Sequence, residues 1–251
     1  MSELKISTMT IVTNLGTEID LQDMYDKLPL NDKLVCIEYG ENGTKGNNMK
    51  KIKKVRDTTK PKKSFYNQAT LHILDSEKTN NKPINLKIFN NGSCQMTGVP
   101  NVKSASYNIK YIKSLLHSSG VKDINCFEDN PMNICLINSG FSLNETVDRD
   151  KFYEILMEKY RFYVNYEPQS YPGINLKYYW NAMTQDDMNR CGRCKCETYC
   201  EGKGTGNGHG ECRRISIMMF ESGEVIITGK CNIEQIKFIK DYVIDLHKKN
   251  K

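Results

Sequence analysis

The sequence predicts an α+β fold built from two similar halves, each with antiparallel strands and helices. Two ten-residue segments, 89–98 (FNNGSCQMTG) and 220–229 (FESGEVIITG), share the pattern F-x-x-G-x-x-x-x-T-G. Each follows an apolar run, contains a glycine turn and precedes an amphipathic helical pattern, which predicts a β-hairpin that leads into a helix. The chain therefore carries an internal duplication, and its helices follow groups of strands, as in α+β proteins.

The duplication extends beyond the hairpins, but the distance between paired segments changes along the chain. Residues 8–16 (TMTIVTNLG) pair with 132–140 (MNICLINSG) at a distance of 124, and residues 66–73 pair with 171–178 at 105. The hairpins pair at 131, and residues 109–112 (IKYI) pair with 236–239 (IKFI) at 127. These shifts predict two repeats, 1–120 with an insertion at 31–63, and 121–251 with a cysteine-rich insertion at about 181–212.

The first repeat is expected to begin with a strand near residues 6–13 and a helix at 20–28. Asp20 is a suitable helix cap and Pro29 a stop signal. Strands at 34–39, 65–74 and 84–89 should follow, and then the hairpin. The apolar residues of the next helix recur at helical spacing: Ala105, Ile109, Ile112 and Leu116.

The second repeat is expected to contain the same elements in the same order. A strand is predicted at 132–137, a helix from about 148, and strands near 162–166, 174–180, 215–220 and 224–228. The final helix presents its apolar residues on one face: Ile236, Ile239, Val243 and Leu246.

Composition is compatible with a folded protein that binds polyanions. The net charge is +6, with 36 Lys and Arg against 30 Asp and Glu, which is also compatible with an ordinary solvated surface. Basic residues are concentrated in residues 50–63 (KKIKKVRDTTKPKK), which hold eight Lys and Arg against one Asp. This segment forms either a solvated loop or a phosphate contact. The sequence has no apolar run of membrane-spanning length and no signal peptide, so we expect an intracellular protein without membrane association.

Several motifs carry a resemblance to a known family. Residues 166–173 (YEPQSYPG), followed by the 220–229 hairpin and a C-terminal helix, resemble the second repeat of the TATA-box-binding protein (TBP) family, where Y-E-P-x-x-F-P-G leads to F-x-S-G-x-V-x-x-T-G. Residues 10–21 (TIVTNLGTEIDL) are similar to the V-N-L-G-x-x-L-D-L start of that family. In its low overall similarity to the family and in its insertions, the chain resembles the homologues carried by large DNA viruses. The resemblance implies a saddle whose curved antiparallel sheet carries helices on its convex face.

The resemblance also implies that the sheet binds and bends DNA through the minor groove, with four aromatic wedges that open base steps. Carried onto this sequence, the wedges fall on Tyr66, Phe89, Tyr171 and Phe220. Phe65 is an alternative to Tyr66, and a place in the sheet core is the alternative for each ring. Eight further positions are implied to face the groove: Thr8, Thr10, Met132, Ile134, Gln95, Thr97, Ile226 and Thr228. His72 and Lys177 stand where the family has a phosphate-contacting arginine. Met132 and Gln95 depart from the family pattern, which leaves the preferred DNA sequence open.

The second insertion predicts a metal site. Residues 191–212 (CGRCKCETYCEGKGTGNGHGEC) contain one imidazole, His209, and five thiols: Cys191, Cys194, Cys196, Cys200 and Cys212. Four of these groups can hold a tetrahedral structural zinc, and C-x-x-C is a usual zinc-knuckle spacing. Disulfides or free thiols are the alternative, and the spacing does not select four ligands. The remaining cysteines are expected to be apolar fillers or surface thiols: Cys36, Cys94, Cys126, Cys135 and Cys231.

The sequence contains no catalytic constellation, because its four histidines are dispersed and its glycine-rich stretch lacks the flanking strand and helix of a nucleotide-binding motif. The predicted function is a non-enzymatic transcription initiation factor. As a monomer it would bind and bend A/T-rich promoter DNA and recruit a TFIIB-like factor and RNA polymerase. Alternatives are an adaptor that has lost DNA binding and docks partners on a zinc loop, or an accessory domain of a repair enzyme. The expected location is a viral factory or virion for a viral protein, and the nucleus for a cellular one.

Overall fold

A computed structural model describes residues 3–46, 65–75, 82–184, 192–197 and 200–250. The chain divides into an N-terminal unit, Thr8–Ile134, and a C-terminal unit that consists of Cys135–Lys251 together with Met1–Ser7. The basic run at 50–63 and Cys191 lie outside the described residues. None of the described helices is long and apolar enough to cross a membrane.

The N-terminal unit is an antiparallel sheet with two helices. Its elements are β1 (Lys5–Asn14), α1 (Leu21–Lys27), β2 (Leu34–Tyr39), β3 (Gly43–Gly46), β4 (Gln68–Ile73), β5 (Ile84–Phe89), β6 (Ser93–Val99) and α2 (Val102–Ser118). The strand order is β3-β2-β4-β5-β6-β1, and every neighbouring pair is antiparallel.

Local sequence signals explain where these elements begin and which face they bury. The Asp20 carboxylate accepts hydrogen bonds from two backbone N–H groups at the start of α1, and the Asn101 side chain caps α2 in the same way. Along β1, Met9 and Ile11 are fully buried while Thr10 between them is partly exposed. The strands therefore place alternate residues in the core, and the other set forms a partly exposed face.

The C-terminal unit repeats this plan with five strands. Its elements are β7 (Asn133–Ser142), α3 (Arg149–Glu154, continued by a π-helical turn at Ile155–Lys159), β8 (Tyr163–Glu167), β9 (Tyr171–Trp180), β10 (Arg213–Met219), β11 (Glu224–Gly229) and α4 (Ile233–Lys248). The order is β7-β11-β10-β9-β8, again antiparallel throughout. Helix α4 covers the buried face of this sheet, where Tyr242 packs edge-on against Tyr178 at 5.6 Å. The predicted α+β class is confirmed.

The strand register corrects the alignment of the first strands of the two repeats. Thr97 of β6 pairs with Thr10, and Thr228 of β11 pairs with Asn138. Thr97 and Thr228 are equivalent hairpin positions, so Thr10 corresponds to Asn138. The first strands are therefore offset by 128 residues, and the predicted 124 is wrong.

A left-handed backbone position explains the error. Gly16 follows β1 with φ of 84°, and the equivalent residue after β7 is Asn144, with φ of 60°. Asparagine tolerates this conformation better than most residues, so the second repeat can do without a glycine there. The sequence motif therefore pairs Gly16 with Gly140, which lies inside β7. Met132 and Ile134 are thus wrongly assigned to the groove-facing positions. The residues that correspond to Thr8 and Thr10 are Leu136 and Asn138.

Candidate nucleic-acid interface and cysteine cluster

The partly exposed face of the C-terminal sheet carries a mixed polar and apolar surface. Thr228 Oγ1 donates a hydrogen bond of 2.5 Å to Asn138 Oδ1. Ile226, two residues before Thr228, lies opposite Met218 on one side and Gly140 on the other. Because the amide oxygen of Asn138 accepts from Thr228, its NH₂ group is the part that can donate to a ligand.

Positive charge lies further out on the same face. Lys177 Nζ donates to Ser216 Oγ at 2.8 Å, and Lys177 pairs across the sheet with Tyr163, which is strongly exposed. Burial lowers the pKa of Lys177, and the nearby charge of Arg214 lowers it further. Arg214 is itself exposed. These two side chains can meet an anionic ligand at the edge of the face.

Two of the predicted wedges meet in the C-terminal unit. Tyr171, the first residue of β9, and Phe220, directly after β10, have ring centroids 5.9 Å apart and planes at 61°. The Tyr171 ring is exposed, and its hydroxyl contacts the sulfur of Met218 at 3.3 Å. A Cβ on Gly173 would approach both rings to 3.0 Å. The glycine of the Y-P-G sequence therefore makes room for this pair.

The N-terminal wedges are arranged differently. Phe89 ends β5 opposite Gln68 and is partly exposed. Tyr66 and Phe65 are 60% and 59% exposed, so exposure does not distinguish between them. The Tyr66 hydroxyl donates to a carboxylate oxygen of Glu41 at 2.5 Å, which fixes the direction of its ring. Either aromatic residue is accessible to a ligand.

The remaining predicted positions of this unit lie on the partly exposed face of its sheet. Thr97 pairs with Thr10, and Gln95 pairs with Val12 of β1. Thr8, at the start of the unit, is also partly exposed. A recess of about 510 Å³ borders this face and is lined by Val12, Phe89 and Gln95.

His72 is a correction to the predicted phosphate contacts. Its imidazole is fully buried, and Nε2 lies 3.1 Å from a carboxylate oxygen of Glu38. Its register position nevertheless matches Lys177, because His72 pairs with Asn85 and Lys177 pairs with the equivalent Ser216. The predicted pairing of His72 with Lys177 between the repeats is therefore correct, but the buried His72 side chain offers no surface to a phosphate.

The cysteine-rich insertion brings four thiols together. The sulfur atoms of Cys194, Cys196, Cys200 and Cys212 all lie within 4.8 Å of one another, and all four cysteines are free. Cys212 Sγ is 3.5 Å from Cys196 Sγ and 3.8 Å from Cys194 Sγ. A tetrahedral zinc with Zn–S bonds of about 2.3 Å holds its sulfurs about 3.8 Å apart. The cluster is therefore suited to hold a metal ion.

Backbone and amide groups support the cluster. Gly210 N–H donates to Cys196 Sγ at 3.1 Å, and Asn181 Nδ2 lies 3.5 Å from Cys212 Sγ and donates to the Gly208 carbonyl at 2.7 Å. At Gly204, an added Cβ would lie 2.4 Å from the backbone of Glu211. The glycine-rich stretch thus folds back closely on Glu211 and Cys212, directly before β10.

The environment of the thiols opposes ionisation at two of the four positions. Burial raises the pKa of Cys194 and, more strongly, that of Cys212. Burial also acts on Cys196, but hydrogen bonds from Gly210 and from Cys212 outweigh it and lower the pKa of Cys196 below its usual value. A divalent cation would offset the cost of ionising the buried thiols, because thiolates are the ligating form.

The structure selects among the ligands that the spacing left open. Four of the five predicted cysteines form the cluster, and the fifth, Cys191, is outside the described residues. The His209 imidazole accepts a hydrogen bond from the Glu197 backbone N–H at 2.9 Å. His209 is thus engaged by the loop backbone, beside the cluster.

A basic recess of about 490 Å³ lies between the cysteine loop and the outer strands of the C-terminal sheet. Its cationic lining comes from Arg161, Arg193 and Lys195, and its aromatic lining from Tyr163 and Tyr179. No sequence motif pointed to this recess, because its basic residues are spread over two separate segments.

Comparison with known proteins agrees with the resemblance seen in the motifs. No protein-family model matches the chain. A TATA-box-binding protein-like protein of Acanthamoeba polyphaga mimivirus is 29% identical over 247 residues, which covers 93% of this chain and 62% of that relative. Among solved structures, Methanococcus jannaschii TBP matches with a TM-score of 0.59 and 19% identity, over 98% of this chain and 99% of that one. The chain therefore has the TBP fold and resembles a TBP-like protein of a giant DNA virus, as the sequence motifs predicted.

Proposed function

We propose that this protein is a non-enzymatic, TBP-like DNA-binding factor that acts in transcription initiation. It binds duplex DNA through the minor groove and bends it. The observation that carries the proposal is the contact between the rings of Tyr171 and Phe220. These two residues stand at the positions that the family resemblance assigns to wedges, beside a sheet face with apolar and hydrogen-bonding side chains. Wedges of this kind open a base step and allow the DNA to contact more protein surface.

The chemistry of the sheet face suits the minor groove. A·T and T·A pairs present only acceptors there, so hydroxyl and amide donors complement them, and apolar side chains fit where no guanine N2 amine projects. Thr228 and Asn138 supply the polar groups and Ile226 an apolar one. Lys177 and Arg214 are placed to meet phosphates at the edge of the face. We infer an A/T-rich site from this chemistry, and we propose that the protein binds it as a monomer.

The cysteine cluster, in this proposal, holds one structural zinc. Its four thiolates would be the ligands, and the ion would fix the glycine-rich loop that joins β9 to β10. A loop fixed in this way has little conformational entropy to lose on binding, which suits a docking surface. The partner we propose for this surface is a TFIIB-like factor, which would bring RNA polymerase to the DNA.

Salt-dependent binding of a random duplex pool tests the function. The protein should retain duplexes, and the logarithm of its binding constant should fall linearly with the logarithm of salt concentration, because phosphate contacts release counterions. Selection of the retained sequences should enrich A/T-rich sites. An adaptor that has lost DNA binding would retain no duplex at any salt concentration, and that result would refute the proposal.

A further inference from the structure

A second group of side chains that can ligate a metal ion lies in the N-terminal unit, separate from the cysteine cluster. Cys36 and Glu38 are alternate residues of β2 and so project from the same face. His72 of β4 is the direct cross-strand partner of Cys36. The sulfur, carboxylate oxygen and imidazole nitrogen of these three residues all lie within 4.8 Å of one another.

Burial sets this trio apart from ordinary surface groups. Cys36 and His72 have no exposed surface, whereas the Glu38 side chain is 34% exposed. The exposed part of Glu38 leaves a route by which an ion and a water molecule can reach the group.

The equivalent positions of the second repeat show that the trio is specific to one half. His72 corresponds to Lys177, and the cross-strand partner of Lys177 is Tyr163. Two residues further along β8 stands Asn165, which corresponds to Glu38 and is exposed, as is Tyr163. One repeat thus has a partly buried lysine beside an exposed tyrosine and asparagine, where the other has a buried imidazole and thiol beside a partly exposed carboxylate.

We propose that Cys36, Glu38 and His72 form a second metal site, which binds a divalent transition metal ion, with zinc as the preferred ion. The fourth coordination position faces the exposed side of Glu38 and takes water. Thiolate and imidazole ligands favour zinc and its neighbours over Mg²⁺ and Ca²⁺, which prefer all-oxygen sites.

The observed spacing fits such a site. Nitrogen and oxygen ligands at about 2.0 Å from a tetrahedral zinc lie about 3.3 Å apart. His72 Nε2 and Glu38 Oε1 are separated by 3.1 Å. The competing explanation is a simple ion pair between Glu38 and His72 beside a buried thiol, and this arrangement would bind no metal.

Metal content under matched substitutions separates the two explanations. Chelator-stripped protein is titrated with Co²⁺ under reducing conditions, and thiolate-to-cobalt absorbance is followed along with bound metal. The wild-type protein should bind about two equivalents and Cys36→Ser about one. Cys94→Ser is the matched control, because Cys94 is also a fully buried thiol of this unit but lies outside the trio. Glu38→Gln, at a partly exposed position, provides a second test if Cys36→Ser does not fold.

The Cys200→Ser variant isolates this site from the cysteine cluster. Its remaining ion should show one sulfur and three nitrogen or oxygen ligands by X-ray absorption. That result would support the trio even if the cluster held no zinc. Equal metal content in the wild type, Cys36→Ser and Glu38→Gln would overturn the proposal, as would an all-sulfur environment for every bound ion.

Discussion

Replacing Phe220 by alanine is expected to weaken DNA binding and reduce bending while the fold is kept. The ring is partly exposed and lies 5.9 Å from Tyr171, so its removal leaves one wedge of the pair alone. Base–aromatic stacking contributes about 1–3 kcal/mol per base, which corresponds to an increase in Kd of about 5- to 150-fold. The bend, measured by energy transfer between dyes at the two ends of a duplex, should decrease because a methyl group cannot hold a base step open.

Phe238→Ala is the matched control for this experiment. Phe238 is a partly buried ring of α4 whose centroid lies 5.5 Å from that of Trp180, at 90°. Each substitution removes one edge-on aromatic contact, which contributes about 0.5–1.5 kcal/mol beyond area burial. Both variants should therefore lose comparable stability in urea unfolding, but only Phe220→Ala should change Kd and bend. Equal effects of the two substitutions on DNA bending would refute the wedge assignment.

Three further predictions concern the corrected register, the cluster and its loop. Asn138→Ala should raise the duplex Kd by about 2- to 10-fold, as expected for a lost hydrogen bond, and Met132→Ala should not. The reverse order in anisotropy titrations would refute the assignment of Asn138 as a DNA contact. Cys200→Ser should lower the zinc content measured by mass spectrometry and destabilise the loop, and unaltered zinc would exclude Cys200 as a ligand. Deletion of residues 181–211, closed by a short turn, should preserve duplex binding but abolish the ternary complex with a TFIIB-like factor. A persisting ternary complex in a gel shift would show that the factor docks elsewhere.

Sequence reasoning succeeded where the signals are local. The two hairpins share a glycine turn and a strand pattern that depend only on neighbouring residues, and both form as expected. The helices could be placed because Asp20 supplies a cap and because their apolar residues recur at helical spacing. The offset of 105 between β4 and β9 also holds, since His72 and Lys177 have equivalent partners.

The errors arose where geometry depends on residues far apart in the chain. Asn144 takes the left-handed position that Gly16 occupies in the first repeat, and only the strand pairing reveals this equivalence. His72 is buried against Glu38 of β2. The counterpart of Glu38 in the second repeat is the exposed Asn165, so comparison of the repeats does not predict this contact. The choice of cluster ligands similarly depends on how the glycine-rich stretch folds back to bring Cys212 to the other thiols.

Binding to base-substituted duplexes tests whether the sheet faces bind the DNA minor groove. In an A/T-rich site obtained by selection, A·T pairs are replaced by hypoxanthine·cytosine pairs, which keep the minor-groove pattern and carry the major-groove pattern of G·C. Minor-groove binding predicts that Kd stays within about twofold for these duplexes, whereas G·C replacements weaken binding by about 1–3 kcal/mol per base pair. Loss of binding to the hypoxanthine duplexes equal to that of the G·C duplexes would show that the protein reads the major groove, and would contradict minor-groove binding.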